Sequence, residues 1–356
     1  MNLSKTEIVR LFADPISDYK KYVMGISRDG YAHLVNEYYL LDGFIDDFST
    51  LENHLGVPVL RSSDVPPNSI IVVCSTVRTY DAVQSLKDRE FNNVISYPEF
   101  YLLANNDRLK LRIFENFANC YKKNVSKFDS LRNRLGDEQS KQIFDTLVQY
   151  RLSADIELMK GFKFDPLGQY FDPVVKLDGD TFVDGGGFDG VTSLEFIKHC
   201  PNYKKIFFFE PSSANMEIAK NNLKTFPNVN YLEYGLSNDR QRLYFDTTSG
   251  SASKVVEISD CSIVLDAVDN LINDEVSFIK IDIEGFEMNA LQGMANHIKN
   301  DHPKLAIAVY HKPEDLWELP EYVLSIRSDY NLYLRHYTQG TDETILYFIP
   351  KDNGAN

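Results

Sequence analysis

Apolar and polar positions follow three different rhythms along this chain. Over residues 1–100, short apolar runs are separated by stretches with helical spacing. YKKYVMGI (19–26), GFIDDFS (43–49), VPVL (57–60), SIIVVCS (69–75) and NVISYP (93–98) read as strands, and DGYAHLVNEYYLL (29–41) and VRTYDAVQSLKDREF (77–91) as helices. Alternation of this kind predicts a parallel sheet with crossover helices. Residues 101–165 are charged, poor in glycine and periodic at helical spacing, which predicts two or three helices, the last set off at Gly136 and Asp137. From 166 the strand–helix rhythm returns. Strands are expected at 180–185, 204–210, 228–235, 242–248, 276–283, 303–310, 331–337 and 344–350, and helices at 190–199, 212–225, 263–272, 286–299 and 314–328. The last two strands have no helix between them and predict an antiparallel hairpin. The organisation read from this pattern is an accessory α/β domain (1–104), a helical connector (105–165) and a second α/β domain (166–356).

Composition narrows the function classes. A chain of 356 residues is long enough for two domains. Lys and Arg number 37 against 52 Asp and Glu, a net charge of −15, so phosphate backbones and anionic lipid are disfavoured partners. No run approaches the ~18–20 apolar residues of a membrane span, and no basic-then-apolar leader opens the chain, so a cytoplasmic protein is expected. Cys74, Cys120, Cys200 and Cys261 lie far apart, with neither zinc-ligand nor disulfide spacing. The 13% aromatic content reads mainly as core packing, with Tyr310, Trp317 and Tyr337 the rings to inspect near a bound acceptor.

The chemistry concentrates in three segments. In TFVDGGGFDGVTSLEF (181–196), an apolar strand ends at Asp184, and Gly185, Gly186, Gly187 and Gly190 lead into a helix. Glycines there let backbone and ligand approach closely, and a helix N-terminus offers free N–H groups. Such a turn serves NAD, FAD, S-adenosylmethionine or no ligand at all. In KKIFFFEP (204–211) the next strand ends in Glu210, followed by Pro211, and an acid at that place can accept hydrogen bonds from ribose hydroxyls. In FIKIDIEGFEMNALQGM (278–294) a third strand ends in Asp282, with Glu284, Gly285 and Glu287 behind it. Parallel sheets gather their ligand sites at strand carboxyl ends, which would bring these acids beside the glycine turn.

VDGGGFDG, FFFEP, YLEYGLSND and FIKIDIEGFEMNALQGM, in this order, resemble the FkbM family of S-adenosylmethionine-dependent methyltransferases, as do AIAVYHKPEDLWELP, YLRHY and TILYFIP. The resemblance covers about 175–350. It implies a class I methyltransferase, Rossmann-like seven-stranded sheet with an antiparallel last strand, and S-adenosyl-L-methionine as cofactor. By position, the turn from Asp184 to Gly190 would hold the methionine end of the donor and Glu210 the ribose. Leu236, Ser237 and Asn238 would border the adenine, and Asp282 would lie near the reactive methyl, with Glu284 beside it. Gly187 and Phe188 stand where the family often has pairs such as Asn-Ile. Methyl transfer to a hydroxyl needs a proton acceptor, for which His311 and Asp282 are the catalytic candidates, with His336 a weaker one. Asp282, Glu284 and His311 come from sequence-distant loops without a metal-ligand pattern, so no metal is expected.

The first domain more faintly resembles the Rossmann-like domain of sugar O-acyltransferases. Its first-strand turn keeps only Gly25 and Gly30, around Arg28 and Asp29, while GFIDD (43–47) is the better match. That resemblance makes Asp46 and Asp47 candidates for contact with a nucleotide-sugar. The leading expectation is therefore an O-methyltransferase acting on a sugar, glycan precursor or secondary metabolite, with the middle helices available for a homodimer. An NAD-dependent sugar oxidoreductase and a non-catalytic S-adenosylmethionine or nucleotide-sugar binding scaffold stay open as alternatives.

Overall fold

The structure, a computed structural model, describes residues 3–26, 31–106, 108–109, 111, 114, 117–246, 254–256 and 261–351. Arg28, Asp29 and Gly30 lie outside them, as do the last two residues of the strand expected at 242–248. The described chain forms two compact units. One comprises 1–123, 144–165 and 337–342, and the other 124–143, 166–336 and 343–356.

The first unit is built on a six-stranded sheet. Its strands are β1 (Lys21–Met24), β2 (Gly43–Ile45), β3 (Asn53–His54), β4 (Val57–Leu60), β5 (Ile70–Val73) and β6 (Asn93–Ser96), in the order β3-β4-β2-β1-β5-β6. All pairs are parallel except β3 with β4. The order reverses at β1, which lies between β2 and β5. Ile45, Ile71, Val73, Val83 and Leu86 form part of its core. A helix not expected from the sequence, Lys5–Ala13, begins at a capping box in which Ser4 and Glu7 satisfy each other's backbone N–H groups.

The second unit carries the seven-stranded sheet. Its strands are β7 (Thr181–Gly185), β8 (Lys205–Phe209), β9 (Val229–Leu232) and, after a smaller sheet in sequence, β14 (Phe278–Ile281), β15 (Lys304–Ala308), β16 (Tyr330–His336) and β17 (Thr344–Pro350). The order is β16-β17-β15-β14-β7-β8-β9, and β17 runs antiparallel to both of its neighbours. This is the class I methyltransferase-like α/β fold, with the expected final hairpin. Strands β7, β8, β14 and β15 read as near-continuous apolar runs because both faces of a parallel sheet are covered. Beneath the site, Phe182 stacks on Phe196 at 4.3 Å and on Phe278 at 5.0 Å. Burying each such ring contributes about 2–3 kcal/mol.

The smaller sheet contains β10 (Gly235–Leu236), β11 (Gln241–Asp246), β12 (Lys254–Val256) and β13 (Cys261–Asp266), ordered β10-β13-β11-β12. Two sequence expectations change here. The strand expected at 228–235 divides between two sheets, β9 and β10. The helix expected at 263–272 is strand β13 followed by a one-turn helix, Val268–Leu271. The alternating SIVLD pattern serves β13, which pairs with β11 through five residue pairs. Tertiary pairing overrides helical spacing in so short a segment.

Candidate functional site

The glycine turn lies at the carboxyl end of β7. Gly186 and Gly190 adopt positive φ, +77° and +87°. A Cβ on Gly186 would stand 2.1 Å from the Asp282 carbonyl oxygen, and one on Gly187 2.2 Å from the Phe208 ring. A Cβ on Gly185 would meet Leu236 Cδ1 at 2.6 Å. These glycines therefore let the turn seat against the ends of β14 and β8 as well as leaving backbone bare. Gly186 and Gly187 both donate their N–H groups to the Phe209 carbonyl, at 3.1 and 2.9 Å. Phe188 follows with φ +50° and a largely exposed ring.

Asp184 is fully buried beneath this turn. Ser193, on the helix Val191–His199, donates its hydroxyl to Asp184 Oδ2 at 2.7 Å, and Lys280 Nζ stands 3.3 Å from Oδ1. Lys280 is itself buried on β14 and donates to the carbonyls of Gly186 and Gly185, at 2.7 and 3.1 Å. One ammonium group thus neutralises the buried carboxylate and fixes the turn's backbone. Lys280 was not singled out from the sequence. The signal was present, because an unbroken strand such as FIKI is buried on both faces, and its lysine then needs a partner.

Glu210, at the end of β8, is buried beside the turn. It accepts from Phe188 N at 3.1 Å, Ser212 N at 2.8 Å and Asn215 Nδ2 at 3.4 Å. Burial pushes its carboxyl up from the usual value, opposed by these donors. Pro211 links it to Ser212, the N-cap of the helix Ser213–Leu223. Leu236 lies against Gly185, and Ser237 is buried beside it, donating its backbone N–H to Asp266 O at 3.0 Å and accepting from Gln241 Nε2 at 2.6 Å. Leu236 stands on the smaller sheet rather than on the seven-stranded one, and Ser237 directly follows it.

At the end of β14 the backbone turns sharply, with Glu284 at φ +58° and Gly285 at +95°. Glu287 is buried and closes this turn, accepting from Ile283 N at 3.1 Å and Gly285 N at 3.2 Å through Oε1. His311, which follows β15, sits among the acids. Its Nδ1 lies 3.0 Å from Glu287 Oε1, and its Nε2 lies 3.6 Å from Asp282 Oδ1 and 3.9 Å from Glu284 Oε2. Burial disfavours the imidazolium, but Glu287, Asp282 and Glu284 outweigh it and hold the pKa up at about 9. Asp282 accepts from Tyr170 Oη at 2.5 Å, and Tyr310 Oη stands 3.2 Å from the same oxygen.

Tyr170 was also missed. It comes from the segment before β7, 112 residues away from Asp282 in sequence, and no local pattern links the two. Its ring faces Lys280 Nζ at 5.3 Å. Of the aromatics set aside for inspection, Tyr310 reaches the site, Trp317 packs on Phe128 at 5.0 Å, and Tyr337 belongs to the other unit. His336 is buried with Nδ1 2.9 Å from Thr344 Oγ1, away from the acids at the end of β14.

In the first unit, Asp46 and Asp47 hold their own turns. Asp46 Oδ1 accepts from Phe48 N and Ser49 N, both at 2.8 Å. Asp47 accepts from the backbone and hydroxyl of Ser62 and pairs with Arg89 at 2.8 Å.

Comparison with known proteins follows the same geometry. No curated protein sequence matches the chain. A solved structure, methyltransferase FkbM from Methylobacillus flagellatus KT, aligns over 98% of this chain and 94% of its own with TM-score 0.76 and 22% identity. More distant are Aeropyrum pernix fibrillarin in complex with natively bound S-adenosyl-L-methionine and SMU.1697c of Streptococcus mutans in complex with SAH. The first shows 14% identity over 51% of this chain and 70% of its own, the second 12% over 56% and 96%, with TM-scores of 0.33 and 0.31. The methyltransferase FkbM domain family matches residues 184–334, from the buried Asp184 to β16. That stretch, with Asp184, Glu210, Asp282 and His311 inside it, is similar to the methyltransferase FkbM domain.

Proposed function

We propose that the second unit binds S-adenosyl-L-methionine and transfers its methyl group to a hydroxyl of a small molecule, in the class of sugars, glycan precursors or secondary metabolites. The observation that carries this reading is Glu210. Its carboxylate stands at the end of the strand next to the glycine turn and is tied to that turn through Phe188 N. A ribose diol placed there would meet a fixed acceptor, and the turn above Asp184 and Lys280 would receive the methionine portion. The surrounding acids suit a cationic sulfonium.

In the transfer, the acceptor oxygen forms a bond to the methyl carbon as the carbon–sulfur bond breaks, leaving a thioether, and the hydroxyl proton passes to a base. Asp282 is the group we assign to accept it, oriented by Tyr170 and Tyr310. Incubation of the full chain with methyl-labelled donor and a panel of hydroxylated acceptors tests the reading by mass increment. Absence of donor binding in calorimetry would end it. Asp282→Asn should lower turnover by about 10²–10⁴-fold while donor affinity stays within about threefold.

A further inference from the structure

Asp282, Glu287 and His311 each offer one ligand atom, and these three atoms lie within 4.8 Å of one another. Three buried polar atoms at this point lack an aligned hydrogen-bond partner, namely Glu287 Oε2, His311 Nδ1 and His311 Nε2. The short separations from His311 to Glu287 and Asp282 do not have hydrogen-bond geometry. Orphaned buried polar atoms are rare in folded proteins, and three in one cluster call for an explanation. Charge adds to it. Asp282, Glu284, Glu287 and the buried Asp315 crowd the site, while Lys312 binds the Gly285 carbonyl and Lys280 is committed to Asp184 and the turn.

We propose that Asp282, Glu287 and His311 bind one divalent cation of the manganese class at the end of β14. Two carboxylates and one imidazole make a mixed oxygen–nitrogen donor set. It suits manganese or a similar transition ion better than calcium or magnesium, which favour oxygen alone. Donors sharing one ion sit about 3 Å apart when adjacent, so the cluster needs only side-chain adjustment to close around it. Glu287 is already anchored through Oε1 to Ile283 N and Gly285 N, which holds a ligand residue in place as outer hydrogen bonds commonly do. From the sequence, Glu284 is weighed with Asp282 and His311 and no metal is expected; the Glu284 side chain is largely exposed, and the buried Glu287 stands in its place. If the hydroxyl acceptor of the preceding section is correct, a cation here would acidify that hydroxyl. The site itself does not depend on that reading.

The test is titration of Mn²⁺ into the full chain, without donor or acceptor, followed by the electron paramagnetic resonance signal of free Mn²⁺ and by calorimetry. One tight site is expected, weakened more than about tenfold by Glu287→Gln and by His311→Asn. Glu217→Gln, on an exposed helix face, should leave it unchanged. His311→Asn leaves the carboxylate that closes the turn intact, so it serves if Glu287→Gln fails to fold, as read by circular dichroism. No specific Mn²⁺ uptake below millimolar concentration, or uptake equal in wild type and His311→Asn, would overturn the proposal. Donor affinity measured in the same preparation reports separately on the methyltransferase reading.

Discussion

The two units each present a mostly parallel sheet with a reversal of strand order, yet their carboxyl ends carry different content. In the second unit, β7, β8, β14 and the segments after them bring Asp184, Lys280, Glu210, Asp282, Glu287 and His311 together. In the first, the region where β1 meets β5 opens onto a small cavity with no charged side chain among its described lining residues; Cys74, Thr76, Tyr97 and Tyr150 are among them. Gly340 closes against it so tightly that a Cβ there would stand 1.8 Å from the Thr76 carbonyl oxygen. The nearest acids along β2, Asp46 and Asp47, are occupied in their own turns. The same architecture thus gathers charged side chains at one set of strand ends and only uncharged ones around the described cavity of the other, so the content of a site follows the side chains rather than the fold.

The contrast is tested most severely at Lys280. Lys280→Ala leaves Asp184 as a buried charge without its counter-ion and should destabilise the protein by about 3–5 kcal/mol, read by urea denaturation. A loss below about 1 kcal/mol would mean that Asp184 has other support. Next is Glu210→Ala, expected to weaken S-adenosyl-L-methionine binding about 100-fold in calorimetry, since it removes charge-assisted acceptors. Unchanged affinity would take Glu210 out of the donor site. Asp47→Asn, the first-unit counterpart, should cost about 1–2 kcal/mol of stability with no change in donor affinity. A thermal shift with nucleotide-sugars that vanishes in Asp47→Asn would break the comparison by giving the first unit a ligand.

The smallest effect concerns Asp137. Burial would raise its carboxyl, but Arg335 and Ser140 outweigh that and hold it down at about 2. A depressed acid stabilises above its ordinary value of 3.8 and loses that contribution as pH falls toward 2. Asp137→Asn should therefore cost about 1 kcal/mol at neutral pH, after allowance for solvent screening, and the gap from wild type should close on acidification.

Much of the second unit could be read from its residues. The apolar runs of β7, β8, β14 and β15 predicted buried parallel strands, the missing helix before β17 predicted the hairpin, and the glycines placed the turn. Period and punctuation are local signals, and these features are local. Lys280 escaped because its meaning depends on Asp184, its partner on the adjacent strand β7 but with six strands between them in sequence. Tyr170 escaped because a loop before the first strand of the sheet has no pattern that names its target. Glu287 was given no role of its own for a related reason: three acids around Gly285 look alike in sequence. Only the φ values of Glu284 and Gly285 turn one outward and another inward. β13 was misread as helix because its partner β11 lies in a strand pairing that sequence spacing does not reveal.

The path of the backbone has a practical consequence for anyone dissecting the molecule. The chain passes from one unit to the other at 123/124, 143/144, 165/166, 336/337 and 342/343. A fragment beginning at 166 would therefore carry the matched domain but lack 124–143. It would leave the Leu332 carbonyl without Gly136 N, 2.7 Å away in the intact protein, and Arg335 without Asp137. Those losses fall on β16, the sheet's outermost strand, and would expose an open edge of the kind that invites aggregation. Inactivity of such a fragment would report a severed edge, not an absent catalyst, and limited proteolysis of the intact chain should yield nicked molecules that stay associated.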